Sequence, residues 1–112
     1  MSIEQTDVVD IISTDAVTGH VVLTISDHLD WSDSSAHQLL LQTKLNRYLA
    51  FVESGEIFES YPAAKGRPIK FKVVFQFPPD AGGRAFLVMV KPIIESAGLK
   101  LLEEAYTGAR FN

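Results

Sequence analysis

Ile69-Lys70-Phe71-Lys72-Val73-Val74-Phe75-Gln76-Phe77 is the stretch that decides the fold. Ile69, Phe71, Val73, Phe75 and Phe77 fall on one side of a two-residue period, and Lys70, Lys72, Val74 and Gln76 on the other. Successive side chains of a strand point to opposite faces, so this is a strand with one apolar face and one wet face. His20 to Ser26 repeats the pattern, with Val21, Leu23 and Ile25 facing one way and His20, Val22, Thr24 and Ser26 the other. Strands covered on both faces read instead as continuous apolar runs. The helices of this chain are therefore expected on one face of a single sheet.

The remaining elements follow outward from these two strands. Val8 to Thr14 is rich in β-branched residues and reads as a strand, joined to the next by a hairpin over Asp15-Ala16-Val17-Thr18-Gly19. Ser32-Asp33-Ser34-Ser35 is a run of N-cap residues, with Ser32 the expected cap and Trp31 expected to staple onto Ala36. Leu41, Leu45, Tyr48, Leu49 and Val52 then form one helical stripe, and Gly55 supplies the stop. Glu56 to Tyr61 reads equally as a helical turn or an extended piece, and Pro62 to Pro68 as a loop.

After Pro78-Pro79, Asp80 is placed to cap a second helix. Its stripe is Phe86, Val90, Ile93 and Ala97, flanked by Met89 and Ile94, and Gly98 ends it. Pro92 lies inside, and an interior proline removes a backbone hydrogen bond and crowds the preceding turn. The expectation is a helix kinked there. The competing reading makes Ala85 to Val90 extended and starts a short helix at Pro92. Leu99 to Tyr106 reads as a final strand, and 107–112 as a loose tail. The order is ββαβαβ, which predicts an α+β two-layer sandwich: a four-stranded sheet with two helices on one face.

At 112 residues the chain forms one domain, 1–112, with the 46% apolar and 21% charged composition of a globular protein. It has no cysteine, which removes disulfides, thiolate nucleophiles and zinc–thiolate sites. Its first residues lack the basic-then-apolar order of a signal peptide, and the longest apolar run, Ala85 to Val90, is far short of the roughly 20 residues of a membrane span. A cytoplasmic location and no membrane partner are the expectation. Net charge is −4, and the densest basic cluster is Lys65, Arg67, Lys70 and Lys72. That is too small a footprint for phosphate neutralisation, so no nucleic-acid partner is expected.

Chemistry concentrates in Asp27-His28-Leu29-Asp30-Trp31, which holds two carboxylates, a histidine and the only tryptophan on a strand-to-helix connection. Asp27, His28 and Asp30, joined by His37 one turn into the helix, contain the donor types of a metal site or an acid/base group. The spacing matches no ligand motif. The competing reading makes the carboxylates turn and cap residues, with His28 and Trp31 packed over the end of the core. Tyr61, before Pro62, is a candidate aromatic at a loop mouth or a plug on the core edge. Gly82-Gly83-Arg84 precedes a helix but lacks the phosphate-loop pattern. No catalytic residue, cofactor or metal is assigned. The wet sheet face mixes Val22 and Val74 with His20, Thr24, Lys70, Lys72 and Gln76, and suits a homodimer or protein contact there or along a strand edge.

The Asp27 to Trp31 segment, the run from Leu41 through Lys44, Tyr48 and Phe51 to Gly55, and Tyr61-Pro62 together resemble a small uncharacterised bacterial family, a domain of unknown function. The resemblance spans about Asp7 to Tyr106. It implies a bacterial, stand-alone cytoplasmic domain and carries no catalytic residue, ligand or partner with it. The functional expectation is a non-enzymatic protein-interaction or self-associating domain. The alternative is a small-molecule or metal-binding enzyme with its site around Asp27 to Trp31.

Overall fold

A computed structural model of the chain describes residues 3–106. The expected tail over 107–112 lies outside them. Alternating sequence becomes alternating burial: Val21, Leu23, Ile25 and Asp27 are buried along β2 (Val21–Asp27), and Phe71, Val73 and Phe75 along β3 (Ile69–Phe75). Around them lie β1 (Ile11–Thr14), α1 (Ser34–Glu53), α2 (Glu56–Ser60), a 3-10 turn (Pro62–Ala64), α3 (Ala81–Ser96) and β4 (Lys100–Ala105). The fold is α+β, with a four-stranded mixed sheet and three α-helices among the described residues.

Strand order is β1-β2-β3-β4; β1 runs antiparallel to β2, and β2, β3 and β4 are parallel. Right-handed crossovers that step in one direction put their helices on one face. The contacts agree with this. Tyr48 of α1 meets Phe71 edge-on at 5.7 Å, while Arg84 and Lys91 of α3 pair with Glu103, which lies beside Val73 in register. Both helices thus cover the face of Phe71 and Val73.

Several boundaries differ from the sequence reading. The first strand begins at Ile11 rather than Val8, because the preceding segment is drawn over α1. Lys44, fully buried, donates to the carbonyls of Gln5 and Val8 at 2.6 Å each and faces the Asp10 carboxylate at 2.9 Å. The Tyr48 hydroxyl accepts from the Asp10 amide and donates to the Thr24 carbonyl. Burial pushes its pKa up to about 12. Ile3 closes the wrap, fully buried, its amide donating to Ser26. The third strand stops at Phe75, and Phe77 is exposed.

Asp33, not Ser32, caps α1, accepting from the Ala36 amide, and Trp31 packs on His37 rather than stapling to Ala36. Gly55 follows with φ +83°, a left-handed conformation that glycine adopts without a steric penalty, and Glu56–Ser60 is helical. Asp80 caps α3 through the Gly83 amide. One helix runs through Pro92, so Ala85 to Val90 is helical. Val88, whose carbonyl lost its helical donor to Pro92, lies with it on the exposed face. The buried side of α3 is Gly83, Phe86, Leu87 and Ile94; Ile93 and Ala97, expected in the stripe, are exposed.

Candidate functional site

Asp27 occupies the last inward position of β2, where the alternation would otherwise place a hydrophobic residue. It is accommodated because every oxygen has a partner. Oδ1 accepts from the Leu29 amide at 3.2 Å, and Oδ2 lies 2.5 Å from Nε2 of His37. The other ring nitrogen of His37, Nδ1, is 2.9 Å from the Asp30 carbonyl. A carbonyl only accepts, so Nδ1 carries a hydrogen, and a single further proton is shared between Nε2 and Oδ2. Asp27 and His37 are each 2% exposed. Burial raises the Asp27 carboxyl above its ordinary value, against the opposing hydrogen bond and charge of His37.

Trp31 seals this pair. Its ring lies parallel to His37, centroids 3.6 Å apart and planes 12° from each other, and leans on Phe75 at 6.2 Å. Its Nε1 donates to the Phe77 carbonyl, tying the connection after β2 to the one after β3. Gly83 admits the ring edge: a Cβ there would sit 2.7 Å from two indole carbons. Asp30 folds back on Ser32, accepting from its hydroxyl and amide, and these two bonds hold its carboxyl below the usual range.

The other candidates are dispersed. His28 is half exposed and pairs with Glu4 at 3.4 Å. The Tyr61 hydroxyl is 2.6 Å from Thr14 Oγ1. Thr14 pairs with Val21, at the opposite end of β2 from Asp27 and about 20 Å away at some 3.3 Å per residue. So Asp27, Asp30, Trp31 and His37 come together, His28 sits outside them, and Tyr61 belongs to the far end. Both nitrogens of His37 are engaged and shielded from solvent. Among the described residues no three His, Cys, Asp or Glu side chains converge to hold a metal ion. The polar atoms of the Asp27–His37 pair are thus all engaged within the protein.

Two small pockets border the cluster, one of about 210 Å³ lined in part by Asp27 and His28 and one of about 150 Å³ lined in part by Asp30 and His37, and two larger open surfaces are present besides. At the carboxyl ends of β3 and β4 lies a cleft of about 390 Å³, with Phe75, Pro79, Arg84, Glu103 and Tyr106 in its walls. Burial would raise Glu103, but Arg84 and Lys91 outweigh it and hold the carboxyl below its usual range. The second surface is the outward side of α1 and α3. Leu39 is 62% exposed, Val88 73%, Met89 61% and Ile93 56%, with Ala85 and Pro92 also exposed between them. Leu39 and Met89 flank a groove of about 380 Å³ floored by Phe86 and edged by Ser35, Gln38 and Gln42. The sequence reading treated α3 only as a core element. The signal it missed is that Ala85 to Val90 is apolar all round, while a helix on one face of a sheet buries only one side.

Fold and site together define a small α+β domain with a one-sided mixed sheet and a sealed carboxylate–imidazole pair. The chain belongs to a family of unknown function (DUF6572), whose family model matches residues 1–107. No curated protein and no solved structure matches it. No helix among the described residues is long and apolar enough to cross a membrane.

Proposed function

We propose that this protein is a non-catalytic interaction domain that works through the outward side of α1 and α3. The observation that carries the reading is the set of exposed apolar residues Val88, Met89 and Ile93 on α3, with exposed Leu39 of α1 across the groove from Met89. Clustered exposed apolar residues rimmed by polar ones mark contact sites, whose centres are depleted in charge. The Asp27–His37 pair supports the same reading, because both ring nitrogens and both carboxylate oxygens already have hydrogen-bond partners within the protein.

The test is site-specific photo-crosslinking in cells that make the protein. A photoreactive residue at position 39 or 88 should give discrete adducts, and one at exposed Glu59 of α2 should not. Equal adducts from all three positions, or none from 39 and 88, would overturn the reading. The cleft beside β4 favours a second reading, small-molecule binding at the carboxyl ends of parallel strands, where open α/β sheets hold ligands. A thermal-shift screen separates the two. A ligand at 100 times its Kd stabilises by about 2.7 kcal/mol, and that gain should vanish with a substitution at Arg84 but survive one at Met89.

A further inference from the structure

We propose that the cleft at the carboxyl ends of β3 and β4 binds a small aromatic monocarboxylate, its carboxylate on Arg84 and its ring against Tyr106 and the prolines that follow β3. The proposal rests on the reading of that cleft as a small-molecule site and names the chemistry of its ligand.

The cleft has the size of a ligand site. It holds about 390 Å³, within the roughly 300 to 1,000 Å³ of pockets that take small molecules. Phe75, Pro78, Pro79, Ala105 and Tyr106 give it apolar walls, and the ring-bearing side chains among them suit a flat ligand. Its charged lining groups are Arg84, Glu103 and Glu104.

Charge decides the class of ligand. Glu103 faces two cations at once, Arg84 on Oε1 and Lys91 on Oε2 at 3.1 Å. One carboxylate between two cations leaves a surplus of one positive charge. Among the described residues, Glu103 is the one acceptor that the Arg84 guanidinium meets, through a single nitrogen, and the side chain is 51% exposed. A guanidinium has five N–H donors, so most of these remain for a ligand, in the fork that fits a carboxylate. The neighbouring carboxylates have partners of their own. Glu104 has Lys72 at 3.9 Å, and Asp27 is bonded to His37. Asp80, at the positive end of α3, accepts from the Gly83 amide and the Ser34 hydroxyl. Glu95, exposed one turn beyond Lys91, is no part of the cleft walls. A single surplus charge matches a monoanion. A phosphate group, nearly dianionic, would exceed it and would face Glu104 in the same cleft.

Amide-resolved NMR titration of the full chain tests this, with benzoate and 2-naphthoate as probes and benzamide and 2-naphthamide as their uncharged counterparts. The acids should shift the Gln76, Ala105 and Tyr106 amides saturably, with a Kd of roughly millimolar for ligands of so few atoms. The Gly66 amide, before the opposite end of β3, should stay unmoved. Each acid should bind at least about fivefold more tightly than its amide. Arg84→Gln should remove that preference. Glu103→Gln should widen it, because the surplus charge rises and Arg84 loses its partner, an effect that a merely structural carboxylate would not produce. Met89→Gln on α3 should change nothing, and unfolding midpoints check that each variant is folded. Equal affinity for acid and amide, a preference that survives Arg84→Gln, or one that Glu103→Gln weakens overturns the monocarboxylate and leaves the cleft reading standing. No saturable shift from any of the four probes overturns both. Contacts from residues 107–112 to the cleft amides in the free protein would make the chain itself the occupant, and would likewise overturn the proposal.

Discussion

Replacing Gly83 by alanine tests how tightly Trp31 closes the end of the core. A methyl group there would lie 2.7 Å from two carbons of the indole and 3.0 Å from Pro79 Cβ, against the 3.5 to 4.0 Å of ordinary carbon contacts. The indole cannot swing aside, because it is stacked on His37 and its N–H is held by the Phe77 carbonyl. Overpacking of this kind costs about 1 to 3 kcal/mol, offset by up to about 1 kcal/mol for alanine over glycine in a helix. Gly83→Ala should therefore destabilise by about 1 to 2 kcal/mol. Trp31→Ala should cost about 2 to 4 kcal/mol, somewhat under the range for a fully buried tryptophan, since Trp31 is only partly buried. The two effects should not add. With the indole gone, the methyl group meets no ring, and Gly83→Ala should become neutral or mildly stabilising, a coupling of about 2 kcal/mol. Denaturant unfolding followed by circular dichroism measures all four proteins, since the double-mutant cycle removes the fluorophore. Equal costs for Gly83→Ala in both backgrounds would refute the packing account of Trp31.

Lys44→Met should destabilise by about 3 to 5 kcal/mol in the same assay, because it leaves the Asp10 carboxylate buried beside a methionine; adding Asp10→Asn should recover part of the loss. Pro92→Ala should stabilise by about 1 to 3 kcal/mol by returning an N–H to the Val88 carbonyl, and a lower midpoint would contradict the helix running through that position. The pH dependence has two parts of opposite sign. Asp27, raised by burial, binds its proton more tightly in the folded state, so its contribution is full below the unfolded value of 3.8 and lost as pH rises through the folded value. Glu103 is lowered, so its contribution is present above the unfolded value of 4.5 and lost as pH falls through the folded one. Stability of wild type relative to Asp27→Asn should consequently decline with rising pH, and a constant difference between pH 3 and 8 would remove the Asp27 account.

Much of the fold was legible in particular residues. The alternation of β2 and β3 named the buried side of each strand, and Asp80 and Gly55 marked helix ends, because these signals act within a few residues. The candidate cluster was legible only in part. Asp27, Asp30, Trp31 and His37 do meet, and one turn of helix is enough to bring His37 back over the connection. That they meet as a sealed pair was not legible, since sealing depends on Phe75, Phe77 and Gly83 arriving from distant parts of the chain.

By itself the sequence determined the α+β class, the main strands and the two long helices, all consequences of local period and turn chemistry, while the short helix Glu56–Ser60 was left open. The tertiary structure alone decided that β2, β3 and β4 run parallel, since a two-residue period reports which faces are covered and says nothing of direction. It decided that Lys44 is buried, because a helix-surface lysine becomes a core residue only when the segment from Ile3 to Asp10 folds over it. It also decided that Val88, Met89 and Ile93 stay exposed, because a helix packed on one sheet face buries only the side turned to that face.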